Sequence, residues 1–177
     1  MNKLPKHSPN SERWYNKTQV RLFWSNSGSH YIYAINQAED YQLDIKSDQI
    51  TESNKLVRNI SRDGIYFFHI ANWQDGDIGS TAHFKIKIDT TPPKSPKIFA
   101  STENLRVGDI LRLGFKSADS LSGLQKNYYV SIDNNTGLPS SEQLYIPLSD
   151  KAKHLISVRV FDRAGNFSES RKYIEVR

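Results

Sequence analysis

Five histidines, His7, His30, His69, His83 and His154, are the side chains of this sequence best suited to proton transfer or metal binding. His69 and His83 fall on two consecutive extended segments, where they could stand side by side as two ligands. No cysteine or nearby carboxylate completes a site for an ion that wants four ligands, so a pair of ordinary histidines is the competing expectation. Serines are plentiful, but none sits in Gly-x-Ser-x-Gly and no His and Asp spacing makes a triad. Glycines stand singly in turns, with no phosphate-cradling loop. The expectation is no catalytic, cofactor-binding or metal residue, and no enzyme. Three oxygen-rich turns, Asp75-Gly76-Asp77, Asp133-Asn134-Asn135 and the one at Asp162, are the places where Ca²⁺ would bind. Calcium takes six to eight oxygens, and no complete set is visible. Side chains capping their own backbone are the plainer expectation.

Aromatic residues carry the strongest binding signal. Trp73 closes a strand, Trp14-Tyr15 lies near the start, and Phe23 and Phe67 fall opposite the inward-facing set. Such rings can stack on sugars or on apolar partner groups, which makes Trp73, Trp14 and Tyr15 the candidate ligand-binding residues. The competing expectation is that these rings pack between modules or on covered strand faces. A chain of 177 residues with 37% hydrophobic side chains fits one globular domain or two small ones. The absence of cysteine excludes a disulfide framework and thiol chemistry. The net charge of +5 is dispersed without any Lys/Arg run, which argues against a nucleic-acid partner. No apolar run is long enough to cross a bilayer as a helix, so this segment is not expected to insert into a membrane.

The elements that must hold these residues are strands. Val20, Leu22 and Trp24 alternate with polar neighbours, and Leu111, Leu113 and Phe115 repeat them 91 positions later (111 minus 20). Tyr31, Tyr33 and Ile35 recur as Tyr128, Val130 and Ile132, now offset by 97 (128 minus 31). The six extra residues are assigned to a longer loop over 116–123. Tyr66, Phe68 and Ile70 match His154, Ile156 and Val158, and Ile86 and Ile88 match Ile174 and Val176, all offset by 88 (154 minus 66, 174 minus 86). Further strands are expected near 13–15, 55–60, 96–100 and 143–148. Turns are expected at Ser25-Asn26-Ser27-Gly28, Asp63-Gly64 and Ala164-Gly165-Asn166. About seven short strands per roughly 90 residues, with turns every 8–12, predict an antiparallel β-sandwich built twice. Trp24, Tyr33, Tyr66 and Phe68 should fill one core, and Phe115, Val130, Ile156 and Val158 the other. Between the copies lies Asp89-Thr90-Thr91-Pro92-Pro93. Its prolines have no N–H to donate and cannot extend a ladder, so module one is 1–90 and module two 91–177.

Several of these stretches resemble bacterial immunoglobulin-like modules of the fibronectin type III-related kind. They are Asp63-Gly64-Ile65-Tyr66-Phe67-Phe68-His69-Ile70, the joint Ile88 to Pro93, Ser122-Gly123-Leu124 and Asp162-Arg163-Ala164-Gly165-Asn166. His7-Ser8-Pro9-Asn10 followed by Trp14-Tyr15 looks like the opening of such a module. The resemblance implies two tandem immunoglobulin-like sandwiches, extracellular or at a cell surface, with signal and anchor outside this segment. It implies a monomeric, non-catalytic structural spacer whose partners are other modules of a parent chain. The alternatives are an adhesion or carbohydrate-binding module that takes a surface glycan or protein ligand, and an accessory to an enzyme elsewhere in the parent. In this group a Tyr after Asp-Gly anchors a corner through its hydroxyl. Tyr66 is expected to do so, while His154 stands at the matching place in the second copy. Four Asn-x-Ser/Thr triplets, at Asn16, Asn59, Asn134 and Asn166, are then turn and strand sequence rather than glycan acceptors.

Overall fold

The computed structural model describes residues 9–25, 28–102 and 104–177; His7, Ser8, Asn26 and Ser27 of the expected opening and first turn lie outside them. The chain divides into two compact units, Met1–Thr90 and Thr91–Arg177.

In the first unit, β1 (Trp14–Tyr15), β2 (Gln19–Phe23), β3 (Tyr31–Asn36), β4 (Gln49–Thr51), β5 (Lys55–Asn59), β6 (Gly64–Gln74), β7 (Asp77–Ile78) and β8 (Ala82–Ile88) form two sheets. One has the order β1-β8-β6-β3-β4, with β7 hairpinned on β6; the other is β2-β5. Strand parity explains the packing, because alternate residues of a strand face opposite ways. Tyr66, Phe68 and Ile70 of β6 face inward onto Val20, Leu22, Tyr33, Leu56, Ile86 and Ile88. Phe67, His69, Ala71 and Trp73 face the other side.

The second unit holds β9 (Lys97–Ala100), β10 (Ile110–Lys116), β11 (Leu124–Ile132), β12 (Leu138–Ser140), β13 (Gln143–Pro147), β14 (Lys153–Asp162) and β15 (Phe167–Glu175). Its sheets run β13-β10-β9 and β12-β11-β14-β15. Between them lies a core of Leu111, Leu113, Phe115, Tyr128, Val130, Ile156, Val158, Val160 and Ile174. Both units are all-β, and the second has the three-plus-four strand order of the immunoglobulin-like, fibronectin type III-like sandwich.

Four expectations need correction. Trp24 and Tyr66 are half-buried at the border of the first core rather than inside it. Phe67 is buried, not exposed, at 8%. Its parity is outward as predicted, but that outer face is itself covered. Trp14, Tyr15, Phe23 and Trp73 are half-buried as well. The six extra residues of the second copy are not all loop: β11 starts at Leu124, and its register against β14 shifts between Leu124 and Tyr128.

The aligned residues do occupy matching ladder places. Tyr33 lies opposite Ile70, as Val130 lies opposite Val158. Tyr15 pairs in parallel with Ile88, and Leu105 with Val176. The leading tyrosine of each third strand ties its neighbouring loop. Tyr31 Oη accepts from Gly28 N–H at 3.0 Å and donates to Gly28 C=O at 2.9 Å, while Tyr128 Oη accepts from Ser117 N–H at 3.0 Å.

Candidate functional site: two outer sheet faces

Trp73 sits near the end of β6, where its ring packs on the small outer cluster of Ile32, Leu43 and Ala71. It meets His30 edge-on at 5.7 Å, and its indole Nε1 is buried with no hydrogen-bond partner among the described residues. Trp14 and Tyr15 pair with Lys87 and Ile88, and Ile88 in turn pairs with Gly64 at the start of β6. Nine residues of strand, about 30 Å, separate that end from Trp73. The three candidate residues therefore do not form one platform. Tyr15 is held in place locally: its hydroxyl accepts from Asn10 N–H at 2.6 Å.

In two of the oxygen-rich turns the carboxylates bond to neighbouring backbone and side-chain groups. Asp162 Oδ1 accepts from Gly165 N–H at 2.7 Å and Asn166 N–H at 2.9 Å, and Oδ2 accepts from the Asn166 amide at 2.8 Å. Asp133 Oδ1 accepts from Leu155 N–H at 2.8 Å, and Oδ2 pairs with His154 Nδ1 at 2.7 Å. That bond to His154, followed by the Leu155 N–H, holds the Asp133 carboxyl below its ordinary value. Asp75 and Gly76 both have positive φ, 53° and 94°, which is the type I′ hairpin that Asp-Gly favours. Asp133 and Asn134, at 50° and 63°, take positive φ within the longer loop between β11 and β12, where Asn135 N–H donates to Ile132 C=O at 3.0 Å.

At the joint, Thr90 donates twice to Asp63 Oδ1, from N–H and hydroxyl at 2.8 Å each, and Asp89 N–H donates to Tyr15 C=O at 2.9 Å. Within the second unit, Thr91 C=O accepts from the Asn166 amide at 3.4 Å. Pro93 C=O accepts from Ser168 Oγ at 2.5 Å. The corner bond expected of Tyr66 is present, with its hydroxyl donating to Arg62 C=O at 3.0 Å. His154 makes no such bond; it turns to Asp133 instead.

His69 and His83 are cross-strand neighbours as expected, with Nδ1 atoms 2.7 Å apart. A tetrahedral ion about 2.05 Å from each nitrogen would hold them about 3.3 Å apart. The observed spacing is that of a hydrogen bond. Asn36 Oδ1 lies 3.2 Å from His69 Nε2, so the neutral ring carries its proton there and accepts at Nδ1 from His83. Burial, then His83, pushes His69 below the ordinary histidine value. Tyr41 roofs His69, its ring 5.2 Å from the imidazole and its hydroxyl donating to Asp48 Oδ1 at 3.1 Å.

Two concavities, one in each unit, are wide enough to take a ligand. In the first unit, a gap of about 510 Å³ opens beside Tyr33, Gln49 and Arg58. Arg58 lines it, donating from Nη2 to Gln49 Oε1 at 2.9 Å and to the Tyr33 hydroxyl. Tyr33 donates to the same Gln49 oxygen at 2.5 Å, so this network closes the sandwich edge.

The second concavity, about 730 Å³, lies on the outer face of the β12-β11-β14-β15 sheet. Cross-strand register sets one row of Tyr129, Arg159 and Glu169 beside a second row of Ser131, Ser157 and Arg171. Two adjacent serines leave a dip in an otherwise bulky face. Tyr129 and Phe161 meet edge-on at 5.5 Å beside it. Arg159 Nη2 donates to Glu169 Oε2 at 2.8 Å and Arg171 Nε to Glu169 Oε1 at 2.8 Å. These two guanidinium bonds hold the Glu169 carboxyl below its ordinary value. This site escaped the sequence reading because Ser131, Ser157 and Arg171 are unremarkable alone and meet only through register.

No protein-family model matches the chain, and no curated protein does. Among solved structures it is similar to the amphioxus IgVJ-C2 molecule, with 11% identity, 92% of this chain and 99% of that chain covered, and a TM-score of 0.46. It is also similar to murine CEACAM1b, with 9% identity, 93% and 94% covered, and a TM-score of 0.49. For the chicken CNTN1 FN1-FN3 domains the identity is 11%, the shares 96% and 67%, and the TM-score 0.42. At such values the fold assignment rests on the strand order itself.

Proposed function

We propose that this chain is a non-catalytic structural segment of a larger extracellular or cell-surface protein, of the tandem-module kind found in bacterial surface chains. It works as a monomer between other modules, with signal and anchor elsewhere in the parent. One observation carries the reading. The chain enters the second unit where Asn166 and Ser168 hold Thr91 and Pro93, at the start of β15. It leaves at the far end of that strand, where Arg177 N–H donates to Leu105 C=O at 2.9 Å. Eight residues of strand separate the two, about 27 Å. A module whose entry and exit lie at opposite ends adds its own length to a chain, whereas one whose ends meet adds none.

The test is a display fusion with this chain between a membrane anchor and a fluorescent head. Energy transfer to a dye in the membrane should drop when residues 91–177 are present and rise when they are deleted, with the head still active. Equal transfer in both would reject the spacer. The adhesive alternative loses the support of Trp73, Trp14 and Tyr15 acting together, since they lie at two ends of one unit. A glycan-array screen of the chain and of Trp73→Ala tests it separately: binding lost with that change would revive it.

A further inference from the structure

We propose that the outer face of the second unit, over Ser131 and Ser157, is a binding site for a carboxylate-bearing sugar within a glycan chain. This goes beyond the spacer reading and stands without it. Three kinds of group meet in the dip. Tyr129 and Phe161 supply ring surface on which a pyranose can lie, and Phe167, next along, is half exposed at 49%. The Ser131 and Ser157 hydroxyls form the floor, with Asn134, Asn135 and Gln125 around it, and these can exchange hydrogen bonds with sugar hydroxyls.

Charge selects the acidic sugar. Two guanidinium groups share one carboxylate, so the row keeps an uncompensated positive charge. Arg171 is 66% exposed and, among the described residues, uses one of its five N–H donors on Glu169. Its remaining fork can take a second carboxylate in the bidentate manner that favours arginine over lysine. A partner peptide suits the dip poorly. Peptides that add to sheets use the edge strand and amphipathic helices need an apolar groove, neither of which a floor of two serines offers; an acidic peptide is the competing occupant that oligoglutamate tests.

The probes are tri-galacturonate and sialyllactose, with cellotriose as the uncharged control and a short oligoglutamate as a non-sugar polyanion. Binding to the full chain is followed by amide shifts in a heteronuclear spectrum. Either acidic sugar should bind at millimolar or tighter affinity, moving the amides of residues 129, 131, 157 and 171 while cellotriose does not. Arg171→Gln, whose side chain is mostly in water and whose melting curve should match wild type, should weaken that binding at least tenfold. Tyr129→Ala should weaken it too. The proposal fails if neither acidic sugar binds at 10 mM, or if the shifts fall elsewhere. It fails also if cellotriose or oligoglutamate binds equally well, or if Arg171→Gln leaves affinity unchanged.

Discussion

The two units carry the same sheet face and treat it in opposite ways. In the second, the row Ser131, Ser157, Arg171 is bare. In the first, the matching row is Ala34, His69, His83, and the twelve residues 37–48 between β3 and β4 fold back over it, with Tyr41 and Leu43 forming the cover. The second unit joins β11 to β12 with the five residues 133–137, too few to reach across. One loop length thus decides whether a face is interior or surface, and the side chains follow. A covered row must be apolar or fully hydrogen-bonded, which is why His69 has a partner on each ring nitrogen. An open row can hold two serines and an arginine at no cost.

The sharpest way to break the comparison is to damage one core alone. Leu113 is fully buried, and Leu113→Ala should cost about 2–5 kcal/mol. In calorimetry this should move one transition and leave the other; a single transition shifting as a whole would show that the units do not melt separately. Next in size is the cover itself. Leu43→Ala should lower the first unit by about 2 kcal/mol, whereas Asn135→Ala, on the short loop of the second, should stay within about 0.5 kcal/mol.

Acid should then separate the units by pH. In the unfolded chain His69 takes up a proton near its ordinary value of 6.5, while the folded chain resists. The unfolded state therefore binds more protons as pH falls through 6.5, and the first unit loses stability from there downward. The Asp133 and Glu169 carboxyls are held below their ordinary values, so what they contribute to the second unit is kept until pH falls below about 4. Urea melts at pH 7.5, 5.5 and 3.5 would show the order of loss, and the second unit weakening first would contradict it. The smallest loss expected in the first unit is that of Tyr66→Phe, which removes the corner hydrogen bond and should cost about 0.5–1.5 kcal/mol.

The repeat was legible because period-2 alternation survives wherever a strand has one face on a core. Val20, Leu22, Ile86 and Ile88, and their partners Leu111, Leu113, Ile174 and Val176, are all buried as alternation requires. Phe67 shows where alternation stops being informative. Alternation gives the direction of a side chain but not what lies above it, and over the Phe67 ring lies the ammonium of its cross-strand neighbour Lys85, 5.4 Å from the ring centre. Three short strands leave no such pattern: β4, β7 and β12 are three, two and three residues long, too brief to alternate. The acidic-sugar site depends on β11, β14 and β15 lying in one register, and no stretch of sequence displays that relation.

The cover over His69 also makes the molecule a gauge of its own breathing. His83 is exposed while His69, bonded to it, is sealed. An acylating reagent should therefore modify the first at once and the second only when residues 37–48 lift away. The ratio of the two rates reads the free energy of that local opening directly. A loop that hides one imidazole and spares its neighbour comes with its internal reference already in place.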